Sequence, residues 1–437
     1  MLGKRSAIAL TTSVLVLAVA ACGSSAEGTG AGRPAPVSGS APVPQVSVPE
    51  GFDNTRGWAI REGADGTRFA RPVMAPRAGL VVVRGTTHDG RTSHVAAHDA
   101  ETGTVRWTGG PVPRPEGKVD ALPFVVNDGD DEYVVLATSG TEGGDNGLDK
   151  ASDVTRLHVY DADSSGDDVA ARHEITVPHT ASGYELGSDG TFLVRYRNGA
   201  TVVNVGTGET TPYDGDERIQ APRECGQLIG SCNDRAHVVG VTVNGPLVQG
   251  TEAFWVPGGW FSDDVVPPGA SPREGSATVE VAGSPDGESV VAAWPVREGI
   301  SGTQRVWAVH DGRTGEVVAS VTCEQRGDGY GNPVDVRPAL SDNGRYLIFD
   351  LVGFDLETGE GRCFGETDTR REIQLTSVAD DGTAFGDTGD TPVAVSLTTA
   401  EARPLGEKTV VPSLIGAGVG VFSEDGGDDL LVYPRTD

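Results

Sequence analysis

Lysine is nearly missing from this sequence: four residues in 437, against 63 aspartates and glutamates, for a formal charge of −29. So acidic a surface repels nucleic acid and anionic headgroups, so neither is expected as a direct partner; cations or basic partners suit it, and it favours solubility. Convincing helical periodicity is absent after residue 21, which argues against a helical or mixed fold. No Cys-x-x-Cys occurs and no histidine lies near Cys225 or Cys363, which argues against structural zinc. His88, His94 and His98 are close in sequence but read as strand, where residues four apart are widely separated, and no catalytic triad emerges from the eight histidines.

What the chain does contain is 62 glycines, short β-branched runs and a recurring turn, all of which argue for an all-β fold. The clearest copies are VAAHDAETGTVRW (95 to 107) and WAVHDGRTGEVVA (307 to 319). Weaker copies surround Asp161, Asn204 with Gly208, Asp355 and Ser396. A chain reversal needs a residue with positive φ, which Gly103, Gly208, Gly315 and Gly359 supply. The aspartates before them (Asp99, Asp311, Asp355) can accept turn N–H groups, and Thr102, Thr314 and Thr358 can bond backbone. These residues are therefore read as local turn chemistry. The landmarks from Asp99 to Ser396 are 62, 43, 107, 44 and 41 residues apart. Intervals of roughly 40–50 residues match four-stranded propeller blades. The longest gap suits two units, one degenerate and centred on AFWVPGGWF (253 to 261); the gap of 62 suits one unit with an insertion at 140 to 153. A second hairpin signal precedes most turns, as in GSDGTFLV, SPDGESVV, SDNGRYLI and ADDGTAFG.

Residues 95 to 107 resemble the blade motif of PQQ-like (quinoprotein-type) β-propellers, apolar-x-Ala-x-Asp-x-x-Thr-Gly-x-x-x-Trp, down to Trp107; the other copies match loosely and lack the Trp. The resemblance covers most of residues 58 to 435 and implies a scaffold: an all-β propeller of seven to eight four-stranded blades, eight favoured. The N-terminal strand around Trp58 to Arg61 is expected to complete the blade formed by 411 to 435, because shared chain ends remove exposed sheet edges.

Residues 1–21 read as a leader, with Lys4 and Arg5 before the short apolar run 7 to 21. Val19-Ala20-Ala21-Cys22 resembles the lipobox of bacterial lipoproteins, which implies lipidation at Cys22 and an extracytoplasmic, membrane-anchored protein; two or more acyl chains give stable anchoring. Residues 22–56 read as a Gly/Ser/Pro-rich tether too poor in apolar residues to bury a core, with ends about 30 Å apart as a flexible coil. The propeller is assigned to 57–437. In an exported chain the remaining four cysteines point to disulfides: Cys225 with Cys232 as the close pair, and Cys323 with Cys363 by elimination, on last strands of neighbouring units.

Candidate chemistry is thin. Calcium-quinone enzymes share the implied scaffold, but no Cys-Cys pair occurs and the Trp docking pattern is present once. The run from Asp161 begins like a calcium loop, yet Arg172 stands where a bidentate Glu is needed. Ser284-Pro285-Asp286-Gly287 fails the sialidase Asp-box by one spacer. Of the six tryptophans, Trp255 and Trp260, flanking a Pro-Gly-Gly turn, are expected at an exposed rim where a ligand could stack. The expectation is a monomeric, non-catalytic platform without cofactor, binding a protein or cell-envelope component through loops such as 140 to 153 and 257 to 275. A quinone- or calcium-dependent oxidoreductase and a glycan-binding module are the alternatives.

Overall fold

A computed structural model of the protein describes residues 43, 45–61, 66–116, 121–144, 150–213, 219–222, 225, 236–274, 277–297, 304–326, 337–423 and 429–436. The residues read as a leader, Cys22, most of those read as a tether, and Cys232 lie outside the described residues.

The described chain is all-β, with a short 3₁₀ turn at Ser262–Asp264. It forms eight main antiparallel sets of strands, beside a two-stranded ribbon of Arg273–Glu274 and Ala277–Thr278 and a parallel edge strand, Gly166–Val169, on Val105–Gly109. Sheet I runs Arg68–Ala75, Leu80–Thr86, Thr92–Asp99 and Val105–Gly109. Sheet II runs Leu122–Asp128, Asp131–Glu142, Ser152–Asp161 and His173–Val177. Sheet III runs Gly183–Leu186, Thr191–Tyr196, Gly199–Asn204 and Thr210–Tyr213. Sheet IV has three strands, His237–Thr242, Gly245–Gln249 and Phe254–Trp255. Sheet V runs Glu280–Gly283, Ser289–Pro295, Gln304–Asp311 and Val317–Glu324, and sheet VI Ala339–Leu340, Tyr346–Phe349, Val352–Asp355 and Glu360–Cys363. Sheet VII runs Gln374–Val378, Thr383–Asp387, Pro392–Ser396 and Ala402–Pro404. Sheet VIII takes Leu414–Gly416, Val419–Ser423 and Leu430–Pro434, and its fourth strand is the N-terminal Trp58–Ile60, paired in register with Leu430 to Val432.

The middle strands are apolar on both sides because each sheet is covered on both faces. In LVVV (80 to 83), Leu80 and Val82 face sheet II while Val81 and Val83 face sheet VIII. Of eight apolar clusters among the described residues, seven lie between sheets I and II, II and III, and so on through VII and VIII, and the remaining one lies between VIII and I. First strands touch in the same order at several junctions, and Leu414–Gly416 of sheet VIII reaches Arg68–Ala75 of sheet I. Sheets V and VI also join edge to edge through one parallel bridge, Ser320 to Glu360, and through the disulfide Cys323–Cys363. Cys225 is disulfide-bonded to a residue outside the described set.

The recurring turns are closed as their letters require. The Asp99 carboxylate accepts from Thr102 N–H (3.0 Å) and hydroxyl (2.8 Å), and Asp311 accepts from Thr314 N–H at 2.7 Å. Asp355 accepts Glu357 N–H at 3.1 Å and also a forked contact from Arg345. Asp161 departs from this pattern: it accepts from Arg172 at 2.8 Å. Arg172, at the position where a calcium loop needs a glutamate, thus covers that carboxylate with a cation.

Packing begins before residue 57: Val46 and Phe52 are buried in the layer between sheets VII and VIII, and Val410 N–H bonds Ser47 O at 2.9 Å. These apolar residues supply what the Gly/Ser/Pro tether lacks. The Thr-Gly-x-x-x-Trp pattern is present once among the repeat copies, and two further tryptophans outside it dock in the same way. Trp58, Trp107 and Trp260 each donate their indole N–H across a sheet boundary, to Ala100 O (2.9 Å), Ala162 O (2.9 Å) and Gly312 O (3.0 Å) of the neighbour's turn. Trp58 lies parallel to His98 and Trp260 to His310.

His98 and His310 are therefore structural, each with Nδ1 bonded to a turn carbonyl, Gly103 O or Gly315 O. His310 Nε2 accepts from Trp294 Nε1–H at 3.2 Å, so a second proton there would face a donor. Burial pushes His310 down to about 4 from 6.5. Unfolded chains take up that proton near pH 6.5 while the fold refuses it. Stability is thus complete above pH 6.5 and falls as pH drops toward 4, by up to about 3 kcal/mol. Burial lowers His98 and His158 too, in the same sense. Glu132, Glu185, Asp286, Asp342 and Asp350 are raised by burial and act oppositely at lower pH, where carboxylates titrate. Urea unfolding from pH 7 to 5 should show a flatter stability profile for His310→Asn than for the wild type; equal slopes would refute the assignment.

Candidate binding site

Strands from sheets III, IV, V and VI converge on a cavity of about 270 Å³. Its wall is partly apolar, with Val239, Val281, Ala293, Trp307 and Phe349, and partly charged. Trp307 and Ala293 are register partners on the two middle strands of sheet V, and the indole packs on the Phe349 ring at 5.2 Å.

Each charged group has a local reason for its position. Gly183 leaves open the space that a Cβ would take from the Arg195 guanidinium, at 2.6 Å, so Arg195 lies across the strand pair. It reaches Glu185 at 2.9 Å. Burial raises Glu185, with Arg195 and Arg337 pulling the other way. Asp350, at the sharp bend after Phe349 with φ 49°, is 8% exposed and meets Arg326 at 3.5 Å. Burial raises Asp350, and Arg326 opposes that shift. Arg326 also pairs with Glu372 at 3.4 Å. Arg337 and Glu280 complete the lining, and both are exposed.

Trp307 sets this cavity apart. Five of the six tryptophans donate their indole N–H: Trp58, Trp107 and Trp260 to turn carbonyls, Trp255 to Gln220 O and Trp294 to His310. Trp307 is 4% exposed and its Nε1–H is buried with no acceptor among the described residues. A buried donor without a partner carries a penalty of about 1–3 kcal/mol.

The residues expected to form a rim are elsewhere. Trp255 is fully buried and Trp260 is 8% exposed, because Trp260 packs against Gly315 of sheet V and Trp255 lies in the layer with sheet III. Neither is available to stack on a sugar. The segment from 257 is held down by Arg273, which pairs with Glu252 (3.1 Å) and Asp263 (2.7 Å). The loop at 140 to 153 lies partly outside the described residues. Among the described residues, no group of three His, Cys, Asp or Glu side chains is arranged to hold a metal ion. Sequence reasoning missed the cavity because its residues come from four sheets. One signal was visible: Trp307 stands where the first copy of the repeat has Val95, a bulky aromatic in a slot that needs none.

No family model matches the chain, and no curated protein is similar to it. Among solved structures, an uncharacterized protein of Listeria monocytogenes is similar over 80% of this chain and 95% of its own, with 9% identity and a TM-score of 0.41. Hydrazine synthase of Kuenenia stuttgartiensis is similar over 84% of this chain and 95% of its own, with 13% identity and a TM-score of 0.38. Dipeptidyl peptidase 4 of Porphyromonas gingivalis is similar over 81% and 56%, with 9% identity and a TM-score of 0.41. Similarities this distant assign no activity.

Proposed function

We propose that this chain is an eight-bladed β-propeller held at the outer face of a cell membrane by lipidated Cys22, and that it works as a non-catalytic binding platform. The propeller reading is supported by the run of apolar layers from sheet I round to sheet VIII and back to sheet I, with chain ends sharing the last sheet. The anchor reading rests on Val19-Ala20-Ala21-Cys22 and the preceding apolar run. The observation that carries binding is the Trp307 cavity, where charged groups stand beside an apolar wall.

Photo-crosslinking on intact cells tests the reading. A photoreactive residue at Gln325, on the cavity lining, should capture a discrete envelope component, and one at exposed Thr102, on a repeat turn, should not. Equal capture from both positions, or release of the wild-type protein into the medium with Cys22 unmodified, would contradict it.

A further inference from the structure

We infer that the Trp307 cavity takes a small zwitterion with an apolar body: an amino acid or short peptide with free ends. This rests on the binding-platform reading and names the ligand class for the same site.

Charge accounting within the lining leads there. Within the lining, Arg195 is paired with Glu185 and Arg326 with Asp350, Arg326 also reaching Glu372 beyond the lining. That leaves Arg337 and Glu280, one cation and one anion, both exposed and, among the described residues, without an ion pair. A simple anion would satisfy Arg337 and be repelled by Glu280; a simple cation would do the reverse. Only a ligand carrying both charges meets both groups, with a carboxylate on the Arg337 guanidinium and an ammonium on the Glu280 carboxylate. The Trp307 ring forms part of the apolar wall between those ends. Phe349, Ala293 and Val281 give the side chain an apolar surface. About 270 Å³ admits one or two residues and not a folded partner. Elsewhere the protein is strongly acidic, at −29 overall, so a locally balanced pocket is a departure from its surroundings.

Close approach of the lining strands is built in at Gly283, φ 151°, where a Cβ would stand 3.1 Å from Pro338 Cδ. That glycine lets the segment bearing Arg337 lie against the strand bearing Glu280.

The probe is alanyl-phenylalanine, measured by isothermal titration calorimetry on the full chain, beside its N-acetyl and C-amide forms. The free dipeptide is expected to bind, and blocking either end to weaken it at least about tenfold. Arg337→Gln should bind the dipeptide and its amide equally, and Glu280→Gln should do the same for the dipeptide and its N-acetyl form. Both positions are exposed, so neither variant threatens folding. Trp307→Phe keeps an aromatic group but shortens the apolar wall, and should weaken all three ligands alike. No binding by the free dipeptide, or binding indifferent to both end blocks and both charge variants, would overturn the inference. If Gln325 still captured an envelope component in that event, the ligand class alone would fall and the platform reading would stand.

Discussion

Trp260→Ala is expected to lower the unfolding free energy by about 3–5 kcal/mol, the range for deleting a buried tryptophan. The indole fills the layer between sheets IV and V, lies parallel to His310 and satisfies Gly312 O at 3.0 Å. Its fit against Gly315 is close enough that a Cβ there would stand 2.5 Å from the ring, and Gly315 also sits at φ 76°. Trp260→Phe retains most of the packing and loses the N–H donor, so its cost should be nearer 1–3 kcal/mol. Gly315→Ala tests the contact from the other side. It should be costly in the wild type through both strain and overlap, and less so once Trp260 is alanine, because only the strain remains. Urea unfolding of the four proteins of this cycle gives the coupling directly. Additive costs would show that Trp260 and Gly315 act independently.

Removing the bridge between sheets V and VI should be of similar size. Cys323 and Cys363 close a loop of 40 residues, for which chain entropy gives about 4 kcal/mol. The folded state should survive, because the parallel bridge and the shared apolar layer remain. Cys323→Ala/Cys363→Ala should therefore unfold cooperatively at lower urea. Reductant should lower the wild-type midpoint by more than that of the double variant, whose residual response reports the bond at Cys225. A double variant as stable as the wild type would mean that the bond constrains nothing the sheets do not already fix.

How much of this was legible depended on how local each feature is. Asp99, Asp311 and Asp355 announce their turns because the hydrogen bonds they accept come from residues two or three positions on. Trp58–Ile60 as the missing strand of the C-terminal sheet was readable from what that end of the chain lacked. The Cys323–Cys363 pairing was readable because both cysteines follow equivalent turns. Docking of Trp58 and Trp260 was not, since each reaches a turn in the next sheet, 42 and 52 residues away. The rim expectation failed for the same reason: a Pro-Gly-Gly turn suggests exposure, and only the partner sheet shows that both indoles are covered. Cavity residues such as Glu185, Trp307 and Asp350 are gathered by packing alone, so no spacing in the sequence marks them as a set.

Closure between the last and first sheets is tested most directly by amide hydrogen exchange on Trp58→Ala, which thins the layer that sheets VIII and I share. Closure predicts that protection falls together in Val419–Ser423 of sheet VIII and Leu80–Thr86 of sheet I, with sheets III to V unchanged. Loss confined to sheet VIII, with sheet I as protected as before, would contradict it.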